Sequence, residues 1–384
     1  MSAYRLDDER NIRVGRLVAD WTKSGLLSDG QHDTILPELQ VDLRRTNLFL
    51  RVVLFIFTML ILQSALGIMA MTIAMSGATA AAVLCAIGGV VAFWLAGFLV
   101  NRFKLYRFGI EEAVAVAAIL LMGAGAAIGW SVIGDRLQES AIAAGLVAAG
   151  ATAFAVFARF GYLYAAIAAM ACAGGLPFVF GDSEMTQRLI SIAIIAAIAA
   201  GAWMKRAELG DEHPGDTYAW VEAAAWIGIY ALINLQIFTR IDRTSWFYWV
   251  TYAGIWIVPL LWLWWSIRDR QRILLDVSVL LMLATLISNK AYLGSERYPW
   301  DPIVFGLLLM GTAIAIRRWL AGGAQGERHG VTATRILASD KSTVGLVSLA
   351  TLAHPAASTQ PSSAPDDPIG GGGRSGGAGA GGSF

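Results

Sequence analysis

Residues 50–74 read LRVVLFIFTMLILQSALGIMAMTIA, and Arg51 is the only charged side chain among them. An α-helix rises about 1.5 Å per residue, so roughly 20 apolar residues cross the ~30 Å of hydrocarbon in a bilayer. The stretch meets that length. Its backbone amides have no water to bond in lipid, so a helix, which satisfies them internally, is the form it must take. After Ser76-Gly77 a second apolar stretch begins, near 78–100, and the pattern repeats. The next candidates lie near 112–133, 141–158, 162–180, 188–204, 219–238, 246–267, 273–289 and 302–319, ten in all.

The whole composition agrees with lipid as the solvent. Of 384 residues, 57% are hydrophobic and 15% are charged, against about 25% charged in an ordinary soluble domain. The expected fold class is therefore all-α, a polytopic integral membrane helix bundle of about ten transmembrane helices. A formal net charge of +1 lacks the basic surplus of a nucleic-acid protein. The lipid bilayer is the expected partner, with no nucleic acid.

Three zones are visible: 1–47, a cytoplasmic helical hairpin; 48–320, the transmembrane helix bundle; and 321–384, a low-complexity Gly/Pro/Ser-rich tail. In the first, Val14, Leu17, Val18 and Trp21 form one apolar stripe at helical spacing. Gly25 is placed to end that helix, and Ser28 with Gln31 gives a capping box for the next. Ile35, Leu36, Leu39 and Leu43 continue the second helix, which Pro37 starts or kinks. The polar opening argues against a cleavable signal peptide. The tail ends GGGGRSGGAGAGGSF, a composition that buries too little apolar surface to order itself, and disorder is expected there.

The Lys/Arg bias sets orientation. With the N-terminus inside, the inner loops and flanks carry Arg44, Arg45, Arg102, Lys104, Arg107, Arg159, Lys205, Arg206, Arg268, Arg270, Arg272, Arg317 and Arg318. The outer loops carry only Arg136, Arg188, Arg240, Arg243, Lys290 and Arg297. Both termini are expected in the cytoplasm of a bacterial-type cytoplasmic (inner) membrane.

Within the spans, Gly174-Gly175 and Pro177 predict a break in the fifth. Gly125 and Gly129, with Gly145, Ala149 and Gly150, predict close helix packing. Trp246, Trp249, Trp262, Trp264 and Trp265 are expected at the interfaces, and Trp256 within the bundle. Gln63, Asn234, Gln236 and Asn289 are expected to bond between helices.

Little chemistry is legible. His32, His213, His329 and His354 all lie in polar segments, and Cys85 and Cys172 have no ligand-type spacing. GxxxxGK[ST] and HExxH are absent. No catalytic residue, cofactor or metal is expected, and the chain is read as not an enzyme. The ionisable residues near span ends stand out: Arg51, Glu111, Glu112, Glu222 and Asp276, a candidate intramembrane charge layer. One arrangement makes them a network around Arg51. The alternative has each acid complementing its own helix start in headgroup water.

Trp21-Thr-Lys-Ser-Gly25-Leu26-Leu27-Ser28, then Gln31, Arg44-Arg45 and the first span, resemble the opening of the membrane proteins of domain-of-unknown-function family 2157. The resemblance covers roughly residues 10–75. It implies a helical hairpin before a many-spanning bundle, and no activity or functional residue follows from it. The functional expectation is a non-enzymatic membrane protein acting through interactions, in assembly, scaffolding or envelope regulation, with the hairpin or tail meeting a protein partner. The alternative is a secondary transporter of a small solute.

Overall fold

A computed structural model describes residues 3–73, 77–133, 138–180, 183–209, 215–238, 245–269, 271–294, 300–323, 327–328 and 331–332. The described residues are helical almost throughout and form a helical membrane bundle. Among the described residues seven helices are long and apolar enough to cross a bilayer. These are α3 (Leu48–Ile73), α4 (Ala78–Phe103), α5 (Ile110–Ile133), α6 (Gln138–Phe160), α8 (Glu184–Leu209), α11 (Trp246–Asp269) and α12 (Arg272–Leu293). Two shorter apolar helices, α7 (Leu163–Gly175) and α9 (Gly215–Ile233), stand among them. A one-turn helix α10 (Leu235–Phe238) follows α9, and α13 (Asp301–Ala321) covers the last candidate segment. Beyond it, Glu327–Arg328 and Val331–Thr332 pair as two short antiparallel strands. From residue 333 onward the expected disordered tail lies outside the described residues.

Before the bundle, α1 (Leu6–Lys23) and α2 (Asp29–Ile35) form the expected hairpin. Gly25 adopts φ +77°, and the Leu26 N–H reaches back to the Trp21 carbonyl at 2.9 Å. That left-handed ending suits glycine. The Ser28–Gln31 capping box is formed in both directions. The continuation is a correction. Helix α2 stops at Ile35, Leu36–Leu39 make a 3-10 turn, and Leu43 lies outside any helix. Pro37 lacks a backbone donor and crowds the residue before it, so the α-helix cannot run through.

The segment then runs back along the bundle. Arg44 pairs with the α4–α5 loop, its N–H donating to Lys104 O (2.8 Å) and its carbonyl accepting from Tyr106 N (3.0 Å). At the chain start, Ala3 N donates to Arg159 O at 2.6 Å. Tyr4 and Ile12 are buried with residues of α4, α5, α6 and α7. Part of the N-terminal zone is thus integral to one face of the bundle.

The small-residue pattern explains the tightest packing, α5 against α4 and α6. A Cβ added at Gly125 would lie 2.9 Å from Ala86 N, and one at Gly123 2.9 Å from the Ala149 Cβ. Without side chains there, the helix backbones close on each other and gain dispersion contact. The fifth span does break: α7 ends at Gly175 and passes into a 3-10 turn at Leu176–Phe178 with Pro177 buried. A second core joins α7, α8 and α9, and a third joins α9, α11 and α12. Trp246, Trp249 and Trp264 are exposed, while Trp256 packs on that third core.

Candidate functional site

The expected charge layer resolves into separate clusters. On the face that holds the N-terminal segment, Arg51 in the first turn of α3 meets Glu112 in the first turn of α5. Its Nε donates to Glu112 Oε2 at 2.7 Å, and its Nη2 donates to Oε1. This is a two-bond fork of the kind a planar guanidinium makes with a carboxylate. The Glu112 side chain is 5% exposed and that of Arg51 29%. Gly109 makes the approach feasible. It takes φ +109°, and a Cβ there would collide with the Arg51 carbonyl.

Glu111 is fully buried beside this pair. Its Oε1 accepts from Phe108 N at 2.7 Å, whereas Oε2 has no hydrogen-bond partner. Around it stand Tyr4 and Tyr162, their hydroxyls 3.2 Å apart, and Tyr164, whose hydroxyl donates to the Glu112 carbonyl. Burial pushes the Tyr4 phenol far above its ordinary value. It remains a protonated donor at any physiological pH and bonds the Leu105 carbonyl at 3.2 Å. This cluster ties α3, α5, α7 and the N-terminal segment together.

Glu222 belongs elsewhere, which corrects the network drawn around Arg51. It lies on α9 opposite Arg206, in the last turn of α8. Arg206 Nη2 sits 2.5 Å from Asp269 Oδ2 at the end of α11 and 3.3 Å from Glu222 Oε2. Glu222 is 2% exposed and the Arg206 side chain 10%. The 3.3 Å contact is ionic but lacks hydrogen-bond alignment. Glu222 Oε2, Arg206 Nη1 and, one turn along α9, Trp226 Nε1 are all buried without a hydrogen-bond partner. Two donors and one acceptor stand ready there for a small polar species. Asp276 is exposed in the second turn of α12.

The other end of α9 carries a polar belt. The helix breaks at Asn234, whose Nδ2 donates to Ser288 Oγ on α12 at 2.8 Å. The freed Leu235 N–H donates to Tyr292 OH at 2.7 Å, and Gln236 N to Asn234 Oδ1 at 3.1 Å. Tyr230 and Thr285 share a bond at 3.0 Å, and Tyr252 OH donates to Asn289 Oδ1 at 2.8 Å. Arg188 closes the belt. It is 2% exposed, donates Nη1 to the Leu232 carbonyl at 2.6 Å and grips Glu184 with its other nitrogens. A cation at the carbonyl end of a helix is electrostatically favoured. The side chains of Asn234, Gln236 (Nε2 donating to Tyr248 OH at 3.4 Å) and Asn289 thus bond between elements, as the sequence predicts, whereas Gln63 lies exposed on α3. Arg188, placed by sequence in a loop, is a buried part of the bundle.

Helix α9 therefore runs from a carboxylate–guanidinium cluster to a hydroxyl- and amide-lined break, with apolar packing between. On its other flank an apolar cavity of about 850 Å³ opens between α6, α7, α8 and α9, with Lys205, Glu208 and Tyr218 at one end. Among the described residues no group of His, Cys, Asp and Glu side chains has metal-site geometry. No family model, curated protein or solved structure compared with the chain matches it.

Proposed function

We propose that the protein is a non-enzymatic secondary transporter of a small polar solute, with α9 as the helix around which access alternates. One observation carries the reading: at one end of α9 its Glu222 and Trp226 form an under-satisfied buried group with Arg206 of α8, and at the other end α9 is broken within a polar belt. Charged groups in a span are costly and mark pathways. Broken helices in lipid persist where they are buried in protein or line a cavity, as in transporters. In this reading α3 to α9, α11, α12 and α13 give ten crossings, and both termini are cytoplasmic in a bacterial-type inner membrane. A cytoplasm-active reporter is then active after Arg318 and silent at Arg136.

Substituted-cysteine accessibility tests the transport reading without knowing the solute. In a chain with Cys85 and Cys172 replaced by Ala, Trp226→Cys and Ser288→Cys are treated with a membrane-impermeant maleimide from each side of sealed vesicles. Transport requires Trp226→Cys to label from the N-terminal side and Ser288→Cys from the opposite side. If both stay inert from both sides, the two polar groups are structural and the reading fails.

A second reading, action through a protein partner, draws on a different observation. Helix α2 has no buried residue, and Leu26 and Leu36 beside it are exposed. Under that reading, Leu26→Asp with Leu36→Asp abolishes capture of a specific membrane partner and leaves cysteine labelling unchanged.

A further inference from the structure

At the N-terminal face, away from α9, α4 and α6 end side by side. Arg102 lies in the last turn of α4 and Arg159 in the last turn of α6. Together with Phe93, Trp94, Gly97, Phe98 and Asn101 they line a cleft of about 370 Å³. Both arginines are exposed, and among the described residues neither has a carboxylate within ion-pair distance. This separates them from Arg51, Arg188 and Arg206, which are all paired with acids.

Gly97 shapes the cleft. Its missing side chain leaves Arg159 Nε and Nη2 at 3.6 Å from where a Cβ would stand, so the guanidinium lies across α4. The Arg159 carbonyl is held by Ala3 N, and its guanidinium carbon lies 5.9 Å from the Phe160 ring centre. The side chain is thus braced while its donors stay open. Beneath the two cations, Phe98 and Trp94 stack at 5.8 Å and are exposed. They are four and eight residues deeper than Arg102, about 6 and 12 Å along the helix. Such a ramp matches the upper part of one leaflet, roughly 15 Å thick, with the cations at phosphate depth.

We propose that this cleft binds one anionic glycerophospholipid from the leaflet on the N-terminal face. Its phosphodiester is forked by Arg102 and Arg159, the Asn101 amide is placed beside its headgroup, and an acyl chain lies on Phe98 and Trp94. Charge complementarity selects the occupant. Two guanidiniums without an acid repel a headgroup that carries its own cation, such as choline, and each offers a two-bond fork to phosphate oxygens. Basic pockets between transmembrane helices recognise lipid headgroups in this way. The rival account is that both side chains simply extend into headgroup water and take whatever lipid passes.

Native mass spectrometry of the purified chain, delipidated and titrated with phosphatidylglycerol or phosphatidylcholine of equal acyl composition, separates the two. The expected result is a roughly tenfold preference for phosphatidylglycerol, since both lipids offer the phosphodiester but only phosphatidylcholine brings an ammonium against the two guanidiniums. Arg102→Gln with Arg159→Gln, both at exposed positions, brings the two lipids to near equality. Arg159→Lys keeps the charge, loses the fork and falls between. Gly97→Leu keeps both cations, displaces Arg159 and weakens phosphatidylglycerol binding with little effect on phosphatidylcholine. A preference that survives the double Gln variant overturns the proposal. So does a preference fully retained by Arg159→Lys and Gly97→Leu, which marks non-specific charge. Displacement of phosphatidylglycerol by millimolar inorganic phosphate shows an anion site rather than a lipid site, and overturns it as well.

Discussion

Replacing Arg51 with Met keeps the apolar stem of the side chain and removes the fork that holds Glu112. Glu112 is 5% exposed, so its carboxylate is left facing apolar packing. Breaking a buried pair this way costs about 3–5 kcal/mol. The Arg51 side chain is itself 29% exposed, so solvent screens part of the pair and about 2–3 kcal/mol is expected. Adding Glu112→Gln to the Arg51→Met chain removes the stranded charge and recovers about half of that loss, a coupling of about 1–2 kcal/mol. Reversible unfolding of the purified protein in mixed micelles, driven by sodium dodecyl sulfate and followed by tryptophan fluorescence, measures each corner of the cycle. Charge reversal sharpens the test. Arg51→Glu is rescued in part by Glu112→Arg. It is not rescued by Glu222→Arg, because that acid faces Arg206 and the change sets two guanidiniums against each other. If the Arg51/Glu112 cycle is additive within about 0.5 kcal/mol, or if Glu222→Arg rescues Arg51→Glu, the pairing described here is refuted.

Three further outcomes follow from the geometry. Gly109→Ala forces a side chain into left-handed backbone against the Arg51 carbonyl; a loss of about 1–3 kcal/mol is expected in the same unfolding assay, as for other strained positions. Asn234→Ala removes the bonds to Ser288 and to the Gln236 N–H; about 1–3 kcal/mol is lost, and a neutral result means the belt is not rigid. Burial lifts the Glu9 carboxyl above its ordinary range, with Arg107 partly opposing. A carboxyl whose folded pKa exceeds its unfolded value binds its proton more tightly when folded, so its charged form costs stability as pH rises. Glu9→Gln therefore raises the melting temperature at pH 7 and leaves it nearly unchanged below the ordinary carboxylate range.

Much of the fold was legible because lipid imposes length and apolarity on each crossing element. The stretch 50–74 needed no tertiary information to be read as a helix, and the ten apolar segments coincide with helices. Local chemistry was equally readable. Ser28 with Gln31 and Gly25 are devices within one turn of chain, and each forms as expected. Pro37 misled only in its reach: the second helix stops before it, since the proline lacks the donor that a continuing α-helix uses.

The charge partners were harder to read, and the reason differs between them. Arg206 and Glu222 lie equally far from residue 214, between α8 and α9, so a tight antiparallel hairpin sets them face to face. That spacing is a signal present in the sequence itself. For Arg51 and Glu112 no such symmetry exists. Their meeting depends on α3 packing on α5 rather than on its neighbour in sequence, and on the room left by Gly109. The burial of Arg188 likewise depends on α9 ending at its guanidinium. Apolar length, caps and turns are properties of contiguous residues, so the sequence by itself determined the helices and their membrane setting. Which cation meets which carboxylate, and which arginines are left open to lipid, depends on distances between helices far apart in the chain, and only tertiary packing decided them.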